Sequence, residues 1–317
     1  MDIGSMIKKE YVYGAIKGQD TIHIAFGIDQ NYVRPLGVMM TSILQHNKNV
    51  TFHIFIDEID SAELPRLKDT AEKYDACCHC YVIDAGIFRD FPHQEIGWRT
   101  ATYFRFLTFE YCYLHGIDRL LYLDADMLCL GDLKELYYMP LKDKLMAAVK
   151  DSGLPEGRLE RLNFTGDGYF NAGMLLMDLR AWHDNKYFDA AISMLQKTPE
   201  RFEALDQDVL NVLYADKVYW AGKRYNQENN VEDIYPDDTV IVHYTSTPKP
   251  WLAWYYCSGK NFWQQCSDVS EWSDVPIIQN PRTVREKRLL SRTCFKKGNF
   301  WQGIIWYCRY LSSKISR

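Results

Sequence analysis

The chain has 317 residues, 47% of them hydrophobic, and a formal net charge of −5. This hydrophobic fraction is enough for one large core or two modest ones, and the negative charge excludes a protein that coats nucleic acid. No apolar run approaches the roughly 20 residues that cross a bilayer. Nine cysteines at irregular spacing, with no secretory signal before them, favour reduced thiols over a disulfide framework.

Strand and helix signals alternate through the first 150 residues. We set residues 1–19 aside as a leader, since Met1 to Ser5 before Met6 is typical of a vector-derived extension. Such alternation indicates an α/β fold with a parallel-cored sheet and helices on both faces. The pattern predicts strands over 21–27, 50–56, 76–83 and 119–123, and helices over 32–46, 61–74 (N-cap Ser61) and 100–114.

After residue 140 the spacing of the signals changes. Neither internal repeats nor a low-complexity linker interrupts the chain, so we expect residues 20–260 to form one domain. The pattern predicts strands over 147–149, 171–178 and 240–244, and helices over 182–196 and 206–214.

The C-terminal segment, residues 261–317, ends in a basic and aromatic stretch. From Arg282 onward there are ten Lys and Arg residues against one acid, and residues 283–292 and 300–317 have helical spacing. Aromatic and aliphatic side chains beside Lys and Arg are typical of a helix in the interface of an anionic membrane. We therefore expect residues 282–317 to bind a membrane surface. The alternative is a terminal helix docked on the protein's own core.

Two acids follow the strand predicted over 119–123. Side chains two residues apart in a strand point the same way, so Asp124 and Asp126 are expected to emerge together at the strand's end. That edge of the sheet is where α/β folds usually bind ligands. Anionic oxygen ligands suit a divalent cation that carries a diphosphate.

A histidine and a lysine near residue 245 complete this chemistry. His243 follows a predicted strand, and an imidazole joined to two carboxylates favours Mn²⁺ over Mg²⁺. Lys249 suits a phosphate oxygen. Because the glycine motifs GxxxxGK[ST] and GxGxxG do not occur, a nucleotide would be held by a metal and by cations.

The chain resembles the retaining glycosyltransferases of family 8, because six blocks of its sequence match the family's motifs in the same order. The resemblance extends over about residues 20–317 and is strongest with the bacterial lipopolysaccharide core glucosyl- and galactosyltransferases. The blocks are 25–32 (AFGIDQNY), 101–106 (ATYFRF), 119–126 (RLLYLDAD), 170–173 (FNAG), 206–211 (DQDVLN) and 243–251 (HYTSTPKPW).

The resemblance implies a GT-A fold, which is a single Rossmann-like domain with a mixed central sheet, over residues 20–260. It implies a UDP-glucose or UDP-galactose donor, Mn²⁺ (with Mg²⁺ as a possible substitute), and a lipopolysaccharide core acceptor. The expected location is the cytoplasmic face of the bacterial inner membrane, with no nucleic acid partner. A self-glycosylating family 8 transferase, or one acting on a capsule or a glycoprotein, is the alternative.

The family pattern also assigns roles to residues. Asp124, Asp126 and His243 would hold the metal. One departure is Ser246, which stands where the family often has glycine. Contacts to the nucleotide or the donor sugar are expected from Gly27, Asp29, Asn31, Arg105, Asp124, Ala125, Asn171, Ser246 and Lys249.

Gln207 and Asp206 are the expected catalytic residues. Gln207, an amide and a poor nucleophile, would lie under the reacting face of the sugar, and Asp206 is the nearby carboxylate that the sequence suggests. We therefore expect front-face transfer, in which the acceptor hydroxyl loses its proton to the leaving phosphate oxygen. The structural alternatives are a helix cap for Asp206, a turn residue for Asn171 and a buried ion-pair partner for Arg105.

Overall fold

The computed structural model describes residues 3–16, 18, 20–92, 100–228, 235–245, 249–254 and 259–315. Its strands are β1 (Ile7–Tyr13), β2 (Ile22–Ile28), β3 (Val50–Ile56), β4 (Cys77–Ile83), β5 (Arg119–Leu123), β6 (Met127–Cys129), β7 (Met146–Lys150), β8 (Phe170–Asp178), β9 (Val218–Trp220), β10 (Gln227–Glu228) and β11 (Ile241–His243). Its α-helices are α1 (Val33–His46), α2 (Leu64–Lys73), α3 (Phe104–Leu114), α4 (Lys134–Tyr137), α5 (Arg158–Arg161), α6 (Leu179–Asp184), α7 (Tyr187–Lys197), α8 (Leu205–Leu213), α9 (Lys260–Val269), α10 (Val284–Lys296) and α11 (Phe300–Ile315).

Within the described residues, eight strands form one mixed sheet in the order β1-β4-β3-β2-β5-β8-β7-β9. The strands β4, β3, β2 and β5 are mutually parallel, and β8 runs antiparallel to its neighbours β5 and β7. β1 closes one edge antiparallel to β4, and β9 closes the other parallel to β7. The expected α/β class with a mixed central sheet is confirmed.

Both faces of the sheet are covered, as the alternation of side chains along a strand requires. Consecutive residues of β3 illustrate this: Ile54 packs into the core formed with α1 and α2, whereas Phe55 packs into the core formed with α3, α6, α7 and α8. Because both faces are buried, the central strands read as nearly continuous apolar runs, with every residue of β3 buried.

A second sheet has three strands and contains β6, β10 and β11. In it β11 pairs parallel with β10 and antiparallel with β6, so that His243 lies opposite Met127. β6 follows β5 after a short turn. This pairing therefore brings residue 243 beside residues 124–126, although more than a hundred residues separate them in the sequence.

Three details differ from the sequence expectation. The segment set aside as a leader contributes β1, whose polar, alternating pattern is typical of an edge strand with one face exposed. The helix expected over 182–196 is two helices, broken at Lys186 by a left-handed backbone (φ 55°). The second helix begins at Leu64 with Glu63 as its N-cap, so the assignment of Ser61 was wrong.

The C-terminal segment first packs on the domain and then leaves it. Trp272 is fully buried against Gly37 of α1, where a β-carbon would lie 2.1 Å from the indole ring. Beyond it, α10 and α11 pack on each other, and most apolar side chains of α11 stay exposed. In the part of the chain that the structure describes, no helix is both long and apolar enough to span a membrane.

Candidate active site

Several strand ends and one helix start meet at one edge of the large sheet. Because β2, β5 and β7 run in the same direction, the end of β2 with the turn after it (residues 27–31), Asp124 after β5 and Asp151 after β7 all lie at this edge. β8 runs the other way, which places Asn171 at the same edge. The chain turns from β2 towards β3 on one side, and β5 lies on the other. Such a switch in strand order is where open α/β sheets bind ligands.

Three side chains here form a compact group of metal-ligating type. Asp124 and Asp126 lie in the turn between β5 and β6, and His243 ends β11. Nε2 of His243 lies 3.2 Å from Oδ1 of Asp126 and 3.9 Å from Oδ2 of Asp124. One ligand atom from each residue lies within 4.8 Å of the other two. Two carboxylates and one imidazole suit a divalent cation with mixed oxygen and nitrogen ligands.

Lys249 adds a cation to this group. Its ammonium lies 2.5 Å from Oδ2 of Asp126 and donates to the carbonyl oxygen of Tyr244 at 2.7 Å. Burial disfavours ionisation of Asp126, but Lys249 and His243 outweigh it and hold the pKa of Asp126 well below its usual range. Asp126 is therefore a carboxylate at neutral pH, as a metal ligand must be.

Arg105 is a buried bridge between the acidic residues. Its guanidinium forms ion pairs with Asp124 at 3.0 Å and Asp206 at 2.9 Å, and donates to the carbonyl oxygen of Ala172 at 2.7 Å. It also lies over the ring of Tyr122 at 4.7 Å. A planar, permanently charged group with several donors suits this position, where lysine would satisfy fewer acceptors.

Asp206 and Gln207, neighbours in α8, have different surroundings. Asp206 is buried, accepts a hydrogen bond from Thr102 and pairs with Arg105. Burial raises the pKa of Asp206 to about 6, although Arg105 opposes the shift. Gln207 is partly exposed; its Oε1 accepts from the Ala172 N–H at 2.9 Å. An amide oxygen has a second lone pair, which remains for a ligand.

Asn171, near the start of β8, is linked by hydrogen bonds to the imidazole of His243. Its Oδ1 accepts from the N–H of Gly173 at 3.0 Å and from the side chain of Asn226 at 2.9 Å. Asn226 in turn contacts Nδ1 of His243 at 2.9 Å. Asn171, Asn226 and His243 are therefore one hydrogen-bonded chain.

The remaining expected donor residues flank the cluster. Gly27 donates its N–H to the hydroxyl of Tyr122, beneath Arg105, and a β-carbon on Gly27 would lie 3.0 Å from that oxygen. Asp29 accepts from the backbone and side chain of Asn31 and so shapes the turn after β2. Ala125 buries its side chain in the core beneath the turn. Ser246 lies outside the described residues.

Sequence reasoning missed three residues of the site. Asp151 accepts from Nε2 of Gln207 at 3.1 Å, so Asp206 is not the sole carboxylate beside that amide. Asp151 comes directly after β7, as Asp124 comes directly after β5, and this place was the available signal. However, β7 runs parallel to β5 only because β8, which lies between them, is antiparallel to both. Thr102 and Asn226 gave no local signal, because their roles depend on contacts across 104 and 17 residues of sequence, respectively.

Comparison with known proteins gives matches over most of the chain. The model of Glycosyl transferase family 8 covers residues 23–255, and that of Glycosyl transferase family 8 C-terminal covers 256–314. A lipopolysaccharide 1,3-galactosyltransferase of Salmonella typhimurium is 33% identical, over 96% of this chain and 95% of the relative. A lipopolysaccharide 1,2-glucosyltransferase of Escherichia coli is 30% identical, over 92% and 91%. The solved galactosyltransferase LgtC, in complex with donor and acceptor sugar analogs, has a TM-score of 0.70 at 23% identity, over 78% of this chain and 96% of that one, which confirms the GT-A fold.

Proposed function

This chain belongs to glycosyltransferase family 8, and on that premise we propose that it transfers glucose or galactose from a UDP-sugar to a hexose of the lipopolysaccharide outer core. The anomeric configuration is retained. The activities named for the two relatives that align along almost the whole chain support the donor and acceptor classes. The observation that carries the proposal is the group of Asp124, Asp126 and His243 beside Lys249, at the sheet edge where this fold binds ligands.

The cation in this proposal is Mn²⁺, with Mg²⁺ as a substitute. Asp124, Asp126 and His243 would hold it, and when bound it would stabilise the negative charge that develops on the leaving diphosphate. The imidazole is the reason for preferring Mn²⁺, because Mg²⁺ favours oxygen ligands alone.

The protein's own residues bind and orient the donor in this scheme. Lys249, already beside Asp126, places a cation against the diphosphate. Gly27, Asp29 and Asn31 contact uridine and ribose at the end of β2, and Ala125 and Ser246 contribute to the nucleotide site. Arg105 and Asn171 face the donor sugar. Arg105 already satisfies two carboxylates, so its contact with the sugar or phosphate uses donors left after those pairs.

Transfer takes place on the front face of the sugar. The acceptor oxygen forms a bond to the anomeric carbon as the bond to the UDP oxygen breaks, and the acceptor proton passes to that leaving phosphate oxygen. Gln207 stabilises the cationic sugar with the free lone pair of Oε1, held in place by Ala172, Asp151 and Tyr169. Asp206 contributes negative charge from behind Arg105 and holds that side chain in position.

The helical hairpin of α10 and α11 binds the membrane that carries the acceptor. Its exposed apolar side chains include Phe300, Trp301, Ile304 and Ile315. Ten basic residues from Arg282 onward, against one acid, match an anionic lipid surface. An enzyme without a membrane-spanning helix among its described residues would reach a lipid-linked acceptor through such a surface.

A screen for UDP release tests the proposal. The protein with Mn²⁺ is incubated with UDP-glucose or UDP-galactose, with and without truncated lipopolysaccharide, and the product is analysed by mass. We expect one hexose to be added to the lipopolysaccharide, with release of UDP. No turnover of any UDP-sugar contradicts the proposal. A mass ladder on the protein itself, in place of modified lipopolysaccharide, supports the self-glycosylating alternative.

A further inference from the structure

Asn226 is a buried amide between two parts of the site. It is 2% exposed and follows a short 3₁₀ turn, immediately before β10. One of its terminal atoms lies 2.9 Å from Nδ1 of His243, and the other lies 2.9 Å from Oδ1 of Asn171. A side chain with both a donor and an acceptor end is needed for this arrangement.

The hydrogen-bond directions follow from a single backbone group. The N–H of Gly173 can only donate, so the Asn171 atom that faces it is the oxygen Oδ1. The Asn226 atom that faces the same oxygen must then be the donor Nδ2, which leaves its oxygen towards His243. Since an amide oxygen only accepts, Nδ1 of His243 carries a proton, and Nε2 is the ring nitrogen that would give its lone pair to a cation held with Asp124 and Asp126.

The imidazole ring is also held from its other side. A β-carbon on Gly173 would lie 2.4 Å from Cε1 and 2.8 Å from Nδ1 of His243. The ring therefore lies against the backbone of β8, and the carbonyl oxygen of the same Gly173 accepts the N–H of Asp124 at 2.8 Å. Rotation of the ring away from the carboxylates is opposed by Asn226 on one side and by β8 on the other.

We propose that Asn226 is a positioning residue that fixes the metal-ligating tautomer of His243 and connects it to Asn171, the expected donor-sugar contact. The proposal rests on the proposed function in one respect, which is that Asp124, Asp126 and His243 bind a divalent cation. Partners of a ligating histidine commonly change metal affinity about 10–100-fold when they are removed. Asn226 would act in this way without touching the cation itself.

The test is the dissociation constant of Mn²⁺ alone, measured from the electron paramagnetic resonance signal of free Mn²⁺. Asn226→Ala should bind Mn²⁺ about 10–100-fold more weakly than the wild type. Asn226→Asp should stay within a few-fold of the wild type, because a carboxylate still accepts from Nδ1. It no longer donates to Asn171, so its KM for the sugar nucleotide should rise while its Mn²⁺ affinity is kept. If Asn226 had only a structural role, Asn226→Asp would not change KM while keeping the Mn²⁺ affinity.

Asn47→Ala is the matched control. Asn47 is also 2% exposed and has three side-chain hydrogen bonds to backbone groups, at the opposite end of β6. The Asn47→Ala variant should bind Mn²⁺ with the same affinity as the wild type. An unchanged affinity in Asn226→Ala, or an equal loss in Asn47→Ala, overturns the inference. If the wild type binds no Mn²⁺, the proposed function itself fails.

Nitrogen chemical shifts provide a measurement that needs no Asn226 variant. In ¹⁵N-histidine-labelled protein loaded with Zn²⁺, a diamagnetic cation that accepts imidazole and carboxylate ligands, the His243 ring, assigned by its loss in His243→Gln, should show a protonated Nδ1 and an Nε2 without a proton. A ring whose Nδ1 carries no proton overturns the inference, whether or not Asn226→Ala folds.

Discussion

At the scale of single residues, Gly173 is the position where the smallest change should have the largest effect on the site. Its α-carbon is packed between His243 and Met127, and a β-carbon would lie 2.4 Å and 2.8 Å from their nearest atoms. The imidazole ring is rigid, so a β-carbon on Gly173 would displace the whole ring. The absence of a side chain here is therefore a requirement of the imidazole's position.

We predict that Gly173→Ala weakens Mn²⁺ binding by at least about 10-fold, because the ring is displaced from the carboxylates. Gly131→Ala is the control, since a β-carbon on Gly131 would lie 3.7 Å from its nearest neighbour, a side-chain carbon of Val240, which is an ordinary contact distance. The Mn²⁺ titration described above measures both. Affinity equal to that of the wild type in Gly173→Ala would show that the ring is not held as the structure has it.

Asp206 and Gln207 should separate under mutation, although they are adjacent. Asp206→Asn removes one charge from a buried pair with Arg105 and should lower the free energy of unfolding by about 3 kcal/mol. Gln207→Ala, at a partly exposed position, should cost less than about 1 kcal/mol but should strongly reduce kcat. Urea unfolding and initial rates measure the two effects. A fully stable Asp206→Asn, or a Gln207→Ala that keeps most of its turnover, contradicts the assigned roles.

At the scale of elements, a row of histidines crosses the face of β2, β3 and β4. Nδ1 of His23 lies 3.0 Å from Nε2 of His53, and the rings of His53 and His79 stack at 5.4 Å. Burial, assisted by the charge of His79, lowers the pKa of His23 to about 4. Burial lowers the pKa of His53 as well, followed by repulsion from the other histidines.

This row should make the fold sensitive to acid. A depressed histidine pKa means that the unfolded chain binds more protons than the folded one below the unfolded pKa of 6.5. Stability is therefore lost as the pH falls from 6.5 towards 4. Between about pH 7 and about pH 5, His23 should account for a loss of about 2 kcal/mol.

Urea unfolding at the two pH values checks this prediction. His23→Gln should lose less stability on acidification than the wild type, whereas the exposed control His46→Gln should lose as much as the wild type. If His23→Gln and the wild type have the same pH dependence, the side chain of His23 is not protected from protonation in the fold.

The elements that sequence could predict are those whose signal is local. β3 and β5 have the expected bounds, since they are continuous apolar runs between turns. β1 was missed because an edge strand carries charges such as Lys8 and Lys9 and looks like a polar leader. In the small sheet, β11 lies within the strand expected over 240–244, whereas β6 and β10, with three and two residues, are too short for any periodicity.

The same distinction applies to the site. Asp124, Asp126 and His243 could be predicted from their places at the ends of apolar strands, and Lys249 from its charge close to His243; the family pattern gave them the same roles. Asn226 and Asp151 could not be predicted, because each is defined by a partner that tertiary pairing brings to it. The residues proposed to bind a ligand were thus easier to predict than those that hold them in place.

At the scale of the whole molecule, the proposed catalytic edge of the large sheet and the basic hairpin of α10 and α11, proposed to bind a membrane, are separate parts of the structure. The hairpin's apolar residues are exposed, with Trp301 79% exposed, whereas its internal contacts are small: Leu290, Ser291 and Gly303 are buried. A terminal helix docked on the domain core, the alternative considered from the sequence, would have buried the aromatic side chains of α11.

We predict that the wild type sediments with vesicles containing anionic phospholipid, and less so at high salt. Replacing Phe300, Trp301 and Ile304 together by serine should abolish most of that binding, because these side chains supply the apolar contact. The matched control is Phe262→Ser with Val269→Ser, two exposed apolar residues of α9 outside the hairpin. Equal sedimentation of the triple variant and the wild type would show that the exposed apolar side chains of the hairpin do not bind the membrane.

The most direct test of the central claim is a calorimetric titration of UDP into the protein, with Mn²⁺ or with EDTA, for the wild type and Asp126→Asn. Mn²⁺ should strengthen UDP binding by the wild type about 10-fold or more. In Asp126→Asn this gain should be lost, because one of the three ligands no longer carries a charge. Wild-type UDP binding that is the same in EDTA as in Mn²⁺ would contradict the claim that Asp124, Asp126 and His243 hold the cation that binds the donor.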